Sequence, residues 1–400
     1  MHSQTRTTGR VTELAAAAGA ALALCTLSAT AEVPRVFGLR AVPLDLNIAP
    51  HDVSGDGRVV VGTATSGGGP DVAFFHTDTD QMRLVNGLHS DEYLGLVALT
   101  LDGGMAVGSS WRPDQSYRAM YYLPQTGEFG WILGEDSDAL ESRGIDVSGD
   151  ARWILGSRYP APSGPEQAFV LDRSTGELHL FEHPTDDQFG VAATAIAASA
   201  PVFVGYLWSD AGPVAFRWSL GAGPEELPSP EGYPPTSDAY AVSADGSVVA
   251  GIVYHPDGGV EAVRWVDGEP EPLGRLPGCS ASRPSGVSGD GSVVVGECHD
   301  DQGNVIAFIW TPETGMRALR DVLVDAGADV GALTFEYVNN ISHNGRVIVG
   351  DGLVGNVIIP WKVELGDVLD EPPCPADVDG DGEATVNDLL QYLGAFRSGC

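Results

Sequence analysis

Carboxylate side chains recur at every second position near the C-terminal end of the chain, in the string DVDGDGEATVND over residues 377–388. Gly382 follows the first three acids, where a sharp turn is needed, and an acid closes the segment. Calcium takes roughly six to eight hard oxygen ligands around one point, and a loop with this spacing supplies them. The pattern predicts a calcium site whose ligands are Asp377, Asp379, Asp381, the backbone carbonyl of Glu383, Thr385 and Asp388.

Apolar residues follow this loop at helical spacing, at Leu389, Leu390, Leu393 and Phe396. The loop and helix resemble the EF-hand and, more closely, one repeat of a dockerin type I module. Dockerins carry a pair of such loops, whereas this chain has a single one between Cys374 and Cys400. A bridge between those cysteines would staple a segment too short to hold its own core. The resemblance implies a cohesin-like partner, and the alternative is a purely structural calcium site.

A second metal-type spacing, H-x-x-E-H, occurs at His179, Glu182 and His183. Zinc proteases with this motif carry it on a helix, where both histidines share one face. Here the string follows a Ser-Thr-Gly-Glu turn and precedes Pro184, so we predict a β-strand with Glu182 on the face opposite the histidines. Neither a G-x-S-x-G elbow nor a phosphate-binding loop is present in the sequence. The sequence therefore predicts a protein without catalytic activity.

One pattern recurs along residues 45–363, namely an apolar strand, a tight polar turn, a β-branched strand that ends in glycine, and a later aromatic strand. The clearest copies are DVSGDGRVVVG, DVSGDARWILG, AVSADGSVVAG, GVSGDGSVVVG and NISHNGRVIVG. The glycines that end the second strands are Gly62, Gly108, Gly156, Gly205, Gly251, Gly296 and Gly350. Their spacing of 45–54 residues indicates seven copies, each long enough for four short strands.

The S-x-D-G turns predict tight hairpins, because Asp hydrogen-bonds its own backbone and Gly adopts positive φ. Runs such as VVVG are continuous and apolar, so both faces of that strand should be buried. A single four-stranded sheet cannot bury both faces, whereas several sheets arranged radially do so and expose only short edges. Two sets of residues recur with the motif. The aspartates are assigned to turns, at Asp56, Asp150, Asp245 and Asp290. The tryptophans are assigned to the core, at Trp218, Trp265, Trp310 and Trp361.

The V-S-x-D-G-x-V-V-V-G and A-F-x-W strings resemble the HAF-type extracellular repeat over nearly all of residues 45–363. The resemblance implies export and repetition. The repeat itself predicts an all-β fold, a seven-bladed β-propeller, followed by a small calcium loop–helix module. The seventh copy lacks a fourth strand, and we predict that residues 33–44 supply it and close the ring. The insertion at 316–331 predicts a short helix ended by Gly327.

The N-terminal residues have the form of a secretory signal peptide. Arg6 and Arg10 precede an apolar run over 14–27, which is too short to span a bilayer, and Ala29-Thr30-Ala31 is a cleavage site. Four cysteines remain after cleavage, and an even count in an exported chain indicates disulfide bonds. Sequence order pairs Cys279 with Cys298 and Cys374 with Cys400, and the other connectivities stay open.

The net charge of −34 argues against nucleic acid and anionic membranes as partners. We predict a signal peptide over 1–31, the propeller over 32–365, an acidic linker over 366–373 and the calcium module over 374–400. The predicted function is a secreted, monomeric binding or scaffold protein whose partner is an unknown protein or a polysaccharide. The alternative is a dockerin-tagged, glycoside hydrolase-like enzyme with catalytic acids near the central channel.

Overall fold

The S-x-D-G turn joins the first two strands of a repeat through a fixed set of hydrogen bonds. In the first repeat the Ser54 hydroxyl donates to Asp56 Oδ1 over 2.8 Å and accepts from the amide of Val59 over 2.9 Å. Gly57 completes the turn at φ 80°, a conformation that favours glycine. The same hydroxyl bonds recur at Ser148, Ser243, Ser288 and Ser342. The assignment of these residues to turn chemistry is confirmed.

Each repeat continues into a four-stranded antiparallel sheet, a blade. The N-terminal strand β1 is Arg35–Gly38. Blade one contains β2 (Asn47–Val53), β3 (Val59–Thr65), β4 (Val72–Thr77) and β5 (Met82–Val85). Blade two contains β6 (Tyr93–Leu99), β7 (Ala106–Trp111), β8 (Tyr117–Leu123) and β9 (Glu128–Trp131). Blade three contains β10 (Glu141–Val147), β11 (Trp153–Tyr159), β12 (Gln167–Asp172) and β13 (Glu177–Phe181).

The remaining blades follow the same order. Blade four contains β14 (Val191–Ile196), β15 (Val202–Ser209), β16 (Gly212–Ser219) and β17 (Gly223–Glu226). Blade five contains β18 (Ser237–Val242), β19 (Val248–Tyr254), β20 (Val260–Val266) and β21 (Glu269–Gly274). Blade six contains β22 (Cys279–Val287), β23 (Val294–Asp300), β24 (Val305–Thr311) and β25 (Gly315–Ala318). Helix α1 (Leu319–Asp325) precedes blade seven, which contains β26 (Thr334–Ile341), β27 (Val347–Val354) and β28 (Val357–Glu364).

The seventh blade takes its fourth strand from the other end of the chain. Strand β1 pairs antiparallel with β28, so that Val36 lies opposite Val363, and the sheet order is β1-β28-β27-β26. The protein is therefore an all-β, seven-bladed β-propeller that is closed by its N-terminal strand, as predicted. The predicted short helix is also confirmed, because α1 ends just before Gly327, whose φ is 82°.

The core lies in wedges between neighbouring blades. Where the last blade meets the first, Val347 and Val349 pack with Val60 and Phe74 in one buried cluster. Three of the four recurring tryptophans are buried as predicted, at Trp265, Trp310 and Trp361. Trp218 is half-buried and stacks on Phe203 at 5.6 Å between ring centroids.

The glycine that ends each second strand lies where the first strand approaches most closely. In six blades a Cβ on this glycine would overlap the carbonyl oxygen of the first-strand residue that precedes its cross-strand partner. The six glycines are Gly62, Gly108, Gly205, Gly251, Gly296 and Gly350. At Gly156 a Cβ would overlap the Phe169 ring as well as the carbonyl group of Arg143. The glycines of the repeat are thus explained by steric exclusion.

The computed structural model describes residues 32–39, 47–65, 72–77, 82–85, 93–111, 116–134, 139–160, 164–184, 190–366 and 368–369. Residues Arg35–Glu364 form one compact unit. The predicted signal peptide, most of the acidic linker and the whole calcium module lie outside the described residues. Within the described ranges, no helix has the length and apolar character required to cross a membrane.

Candidate functional site

The first strands of all seven blades surround a central cavity of about 220 Å³. Apolar residues from blades two to four form much of its wall, including Val97, Ile145 and Ile196. Polar side chains enter from the other blades, at Asp52, Tyr240, Ser285, Asn340 and His343, and Asp146 joins them from blade three. The cavity is the channel of the propeller, and every repeat contributes to its lining.

A β-bulge near the end of each first strand shapes this channel. The register shifts by one residue in all seven, and the extra residues are His51, Val97, Ile145, Thr194, Tyr240, Ser285 and Asn339. Five of these side chains line the cavity. A bulge re-aims a side chain that regular alternation would direct elsewhere. The bulges were not predicted from the sequence, and neither were the residues that line the channel.

The residue after each bulge is an acid or an amide in three blades. Both oxygens of Asp52 accept hydrogen bonds: Oδ1 from the amide of Val53 and from Asn340 Nδ2, each over 2.7 Å, and Oδ2 from the amide of Leu99 over 2.7 Å. Asp146 accepts from the amides of Val147 and Ile196 over 2.7 and 2.8 Å. These carboxylates therefore connect neighbouring blades, from seven to one, one to two and three to four.

Burial changes the proton affinity of both acids. Burial raises the pKa of Asp52 to about 6, although three hydrogen bonds to the carboxylate act to lower that pKa. Burial also raises the pKa of Asp146 to about 7, and the nearby charge of Asp52 contributes. Perturbed carboxyls in a cavity are a recognised sign of functional sites, and of structural networks as well. Each of the four carboxylate oxygens accepts at least one hydrogen bond from an N–H group, as expected for a structural network.

The turns close one end of the channel, which we call the turn end (Ser54–Gly57 and its equivalents). Backbone amides there donate across the blade boundaries, for example from Gly289 to the carbonyl of His343 over 2.8 Å and from Asn344 to the carbonyl of Gly55 over 3.1 Å. Comparable bonds connect blade one to two, three to four, four to five and five to six. This belt of backbone hydrogen bonds connects neighbouring blades at the turn end.

Aromatic residues surround the opposite end, which we call the hairpin end. Five consecutive blades place a ring side chain at the third position after the repeat glycine: Trp111, Tyr159, Trp208, Tyr254 and His299. Trp208 is the most exposed of the large ones, at 46%, and Tyr206 contacts it edge-on at 5.5 Å. Nearby, the Arg143 guanidinium lies 4.8 Å from the centroid of the Tyr117 ring. The two ends of the channel therefore differ sharply in chemistry.

A polar cluster lies at the hairpin end on blades five and six. Tyr240 donates to Asp238 Oδ2 over 3.2 Å, and Ser285 donates to Glu297 Oε2 over 3.1 Å. Arg283 lies directly across the strand pair from Glu297. Burial raises the pKa of Asp238 and of Glu297, and the Arg283 charge opposes the rise in both. Asp238 is only 7% exposed, and its Oδ1 has no hydrogen-bond partner among the described residues.

The metal-type spacing at His179–His183 has no metal-binding geometry. His179 lies on strand β13, and its ring is 6.5 Å from that of Trp153. Glu182 instead accepts a hydrogen bond from Gln167 over 2.5 Å. The predicted strand is confirmed only as far as Phe181, so Glu182 and His183 lie beyond its end. No group of three metal-ligating side chains occurs in the part of the chain that the structure describes. The six predicted calcium ligands lie outside that part.

The predicted bond between Cys279 and Cys298 is wrong for this structure, because both are free thiols. Cys298 lies opposite Ser282 across the strand pair, whereas Cys279 lies opposite Asp300, beyond a β-bulge. Cys298 is buried and contacts Met316 Sδ at 3.7 Å, and burial raises the pKa of its thiol to about 12. The two thiols nevertheless lie close enough to share a hydrogen bond, which opposes the rise in pKa that burial causes at Cys279 and adds to the rise at Cys298. Cys374 and Cys400 lie outside the described residues.

No protein-family model and no curated protein matches the chain. Among solved structures, the β-propeller domain of the Trilobed protease from Pyrococcus furiosus is similar at 13% identity and a TM-score of 0.55, over 82% of this chain and 99% of that one. An oligogalacturonate lyase from Vibrio parahaemolyticus is similar at 12% identity and a TM-score of 0.53, over 84% and 98%. TolB from Acinetobacter baumannii aligns at 16% identity and a TM-score of 0.46, over 64% of this chain and 62% of TolB. The similarities to the Trilobed protease domain and to the oligogalacturonate lyase establish the β-propeller fold.

Proposed function

We propose that this chain is an exported, non-catalytic binding propeller that holds its ligand at the hairpin end, with a calcium-binding module at its C-terminus. The observation that carries the proposal is the contrast between two sets of polar residues, one deep in the channel and the other at the hairpin end. The acids deep in the channel, Asp52 and Asp146, use their oxygens to join blades. At the hairpin end, Asp238 Oδ1 has no hydrogen-bond partner among the described residues, and Arg283 is exposed there.

The size of the channel supports a binding role over catalysis. Small-molecule sites usually enclose roughly 300–1,000 Å³. The cavity between the bulges and the turns has about 220 Å³ and opens onto strands that are fixed by backbone hydrogen bonds. A general acid must also offer one carboxyl oxygen to the substrate. Each oxygen of Asp146 already accepts one hydrogen bond from a backbone amide, that of Val147 or that of Ile196, so this carboxyl is engaged in joining blades.

Export and calcium complete the proposal. The signal peptide over 1–31 directs the chain out of the cytoplasm, and a net charge of −34 keeps it soluble among cations. In the C-terminal loop, Asp377, Asp379, Asp381 and Asp388 would repel one another without an ion, so calcium would order the segment. The calcium module would then stiffen the C-terminus or attach the propeller to a cohesin-like partner.

Calorimetry with calcium chloride tests the module. The mature protein beginning at Glu32 is compared with a form that ends at Glu371. We expect one binding event in the mature protein and none in the shortened form. Heat that persists after the truncation would place the calcium site elsewhere in the chain.

A combined retention and product assay tests the absence of catalysis. The mature protein is incubated with insoluble polysaccharides and with soluble oligosaccharides, and both bound protein and released reducing or unsaturated ends are measured. Retention without product supports a binding propeller. Product that accumulates in proportion to enzyme concentration would refute it.

The second candidate is a carbohydrate-active enzyme with the propeller as its catalytic domain. Two acids with raised pKa on one cavity wall favour it, as does the oligogalacturonate lyase among the similar folds. This candidate predicts that Asp146→Ala abolishes product release while the variant stays folded. The binding propeller predicts no product from either protein.

A further inference from the structure

We propose that the groove on blades four to six at the hairpin end binds a neutral saccharide unit, with Trp208 as its stacking surface and Asp238, Glu297 and Arg283 as its hydrogen-bonding groups. The inference rests on the proposed binding function and specifies its ligand. We call this set of four residues, together with Tyr206, Tyr240 and Tyr254, the blade 4–6 groove.

The repeat itself brings these residues together. Trp208 and Tyr254 occupy the same position in neighbouring blades, each at the outer end of a second strand. Asp238 and Arg283 occupy first strands β18 and β22, and each has a carbonyl that faces the repeat glycine of its own blade, Gly251 or Gly296. Equivalent positions in adjacent blades lie side by side in a propeller. The Asp238 charge accordingly raises the pKa of Tyr206 and Tyr254, with burial as the larger cause.

The groove holds polar groups whose hydrogen bonds are incomplete. Asp238 is buried, with 7% of its surface exposed. Its Oδ1 has no hydrogen-bond partner among the described residues. A buried acceptor without a partner is unfavourable, and a ligand hydroxyl would supply the missing hydrogen bond. Arg283 is exposed and makes neither a hydrogen bond nor an ion pair with any described residue, although Glu297 lies across from it. Donors and acceptors for a polar ligand therefore coexist in one place.

Trp208 adds an apolar surface at the rim. Its side chain is 46% exposed, and the edge contact with Tyr206 at 5.5 Å fixes the orientation of the indole ring. An exposed tryptophan held by its neighbours offers a large flat area at little entropic cost. The apolar face of a sugar ring fits such a surface, while its hydroxyls extend sideways toward polar groups.

Charge determines which polar ligand fits. An anionic ligand would meet two carboxyls, Asp238 and Glu297, and a cationic ligand would meet the Arg283 guanidinium. A neutral polyhydroxyl compound can bond to the carboxyls and to the guanidinium, because each hydroxyl donates one hydrogen bond and accepts others. The strongly acidic character of the whole chain, with a net charge of −34, further disfavours an acidic sugar. These observations together select a neutral saccharide.

Titration of the mature protein with cellotetraose, xylotetraose and mannotetraose tests the proposal, with trigalacturonate as the acidic counterpart. Binding is followed by calorimetry and by tryptophan fluorescence, and product release is monitored in parallel. The test variants are Trp208→Ala and Arg283→Gln. The matched control is Tyr337→Ala, which removes an aromatic side chain of nearly equal exposure, 45%, from blade seven.

We expect at least one neutral oligosaccharide to bind, both test variants to weaken that binding at least tenfold, and the control to stay within twofold of the original protein. Arg283→Gln keeps the test decisive if Trp208→Ala fails to fold, because Arg283 has no described partner to lose. Binding that both test variants leave unchanged would overturn the site, and binding of trigalacturonate alone would overturn the ligand class. Either result leaves the binding function standing, whereas product release would refute that function.

Discussion

The side-chain amide of Asn340 in the last blade donates a hydrogen bond of 2.7 Å to the carboxylate of Asp52 in the first. The same boundary carries a bond from Asn339 Nδ2 to the carbonyl of Pro50 over 2.6 Å. At the outer rim, β1 pairs with β28 to complete the seventh sheet. The ring is thus closed at its innermost and at its outermost strands. At the inner strands, the Asp52 carboxylate has only N–H donors as its hydrogen-bond partners among the described residues.

Replacing Asn340 with Asp should therefore separate charge from hydrogen bonding at this boundary. Asn340→Asp sets a second carboxyl against Asp52, and two carboxylates at hydrogen-bond distance repel unless they share a proton. Asn340→Ala only removes the bond, and alanine already occupies the equivalent position at Ala98, Ala195 and Ala241. We expect the Asp variant to be less stable than the Ala variant by about 1–3 kcal/mol at pH 8 in urea unfolding.

At pH 5, below the pKa of about 6 for Asp52, the two variants should approach each other in stability. A difference that is the same at both pH values would mean that shape, and not charge, decides the outcome at this boundary.

Asp146 should make the free energy of unfolding depend on pH. Its pKa is raised from 3.8 to about 7 in the folded protein, so the folded state binds this proton more tightly than the unfolded state does. The resulting stability is fully present below about pH 4 and is lost as pH rises through 7. Asp146→Ala should flatten that part of the curve. The measurement is urea unfolding of both proteins at intervals from pH 4 to 8, and parallel curves would contradict the assignment.

The repeat glycines should be intolerant of alanine. A Cβ on Gly108 would overlap the carbonyl oxygen of Gly95, which belongs to the backbone and cannot move aside. We expect Gly108→Ala to lower the free energy of unfolding by about 3 kcal/mol or more. Gly95→Ala is the matched control, since its Cβ would meet Thr63 Cγ2 at 3.4 Å, an ordinary contact. Thermal unfolding of the two variants should differ clearly, and equal melting temperatures would disprove the steric explanation.

The two cysteines of blade six should be reduced in the purified protein. Denaturation in the presence of iodoacetamide, followed by peptide mass spectrometry, is expected to find Cys279 and Cys298 each alkylated. In the native protein Cys298 should react far more slowly, because it is fully buried and its thiol pKa is raised to about 12. A peptide in which the two residues are linked would contradict the free thiols of the structure.

Several parts of the propeller could be read from the sequence because local chemistry determines them. The S-x-D-G turns fix hairpins through bonds between residues two to five apart, as at Ser54, Asp56 and Val59. The apolar second strands indicate burial on both faces, and the glycine spacing counts the blades. The missing strand of the seventh repeat could be assigned to the N-terminus, since an incomplete sheet needs a partner and one unassigned segment remained. None of these inferences requires knowledge of a distant contact.

The site, in contrast, was decided by tertiary structure. Asp52 and Asp146 each precede a Val-Ser turn, and nothing in the sequence distinguishes them from other strand residues. Only the bulges direct their side chains into the channel. The aromatic row at the hairpin end could have been found by aligning the third residue after each repeat glycine, from Trp111 to His299. The exposure of this row could not have been found from the sequence, nor could the missing hydrogen-bond partner of Asp238 Oδ1. Sequence by itself determined the blade and the number of blades, because turn bonds and strand periodicity act over a few residues. Which side chains meet around the axis depends on bulges and on neighbouring blades, and those interactions exist only once the ring has closed.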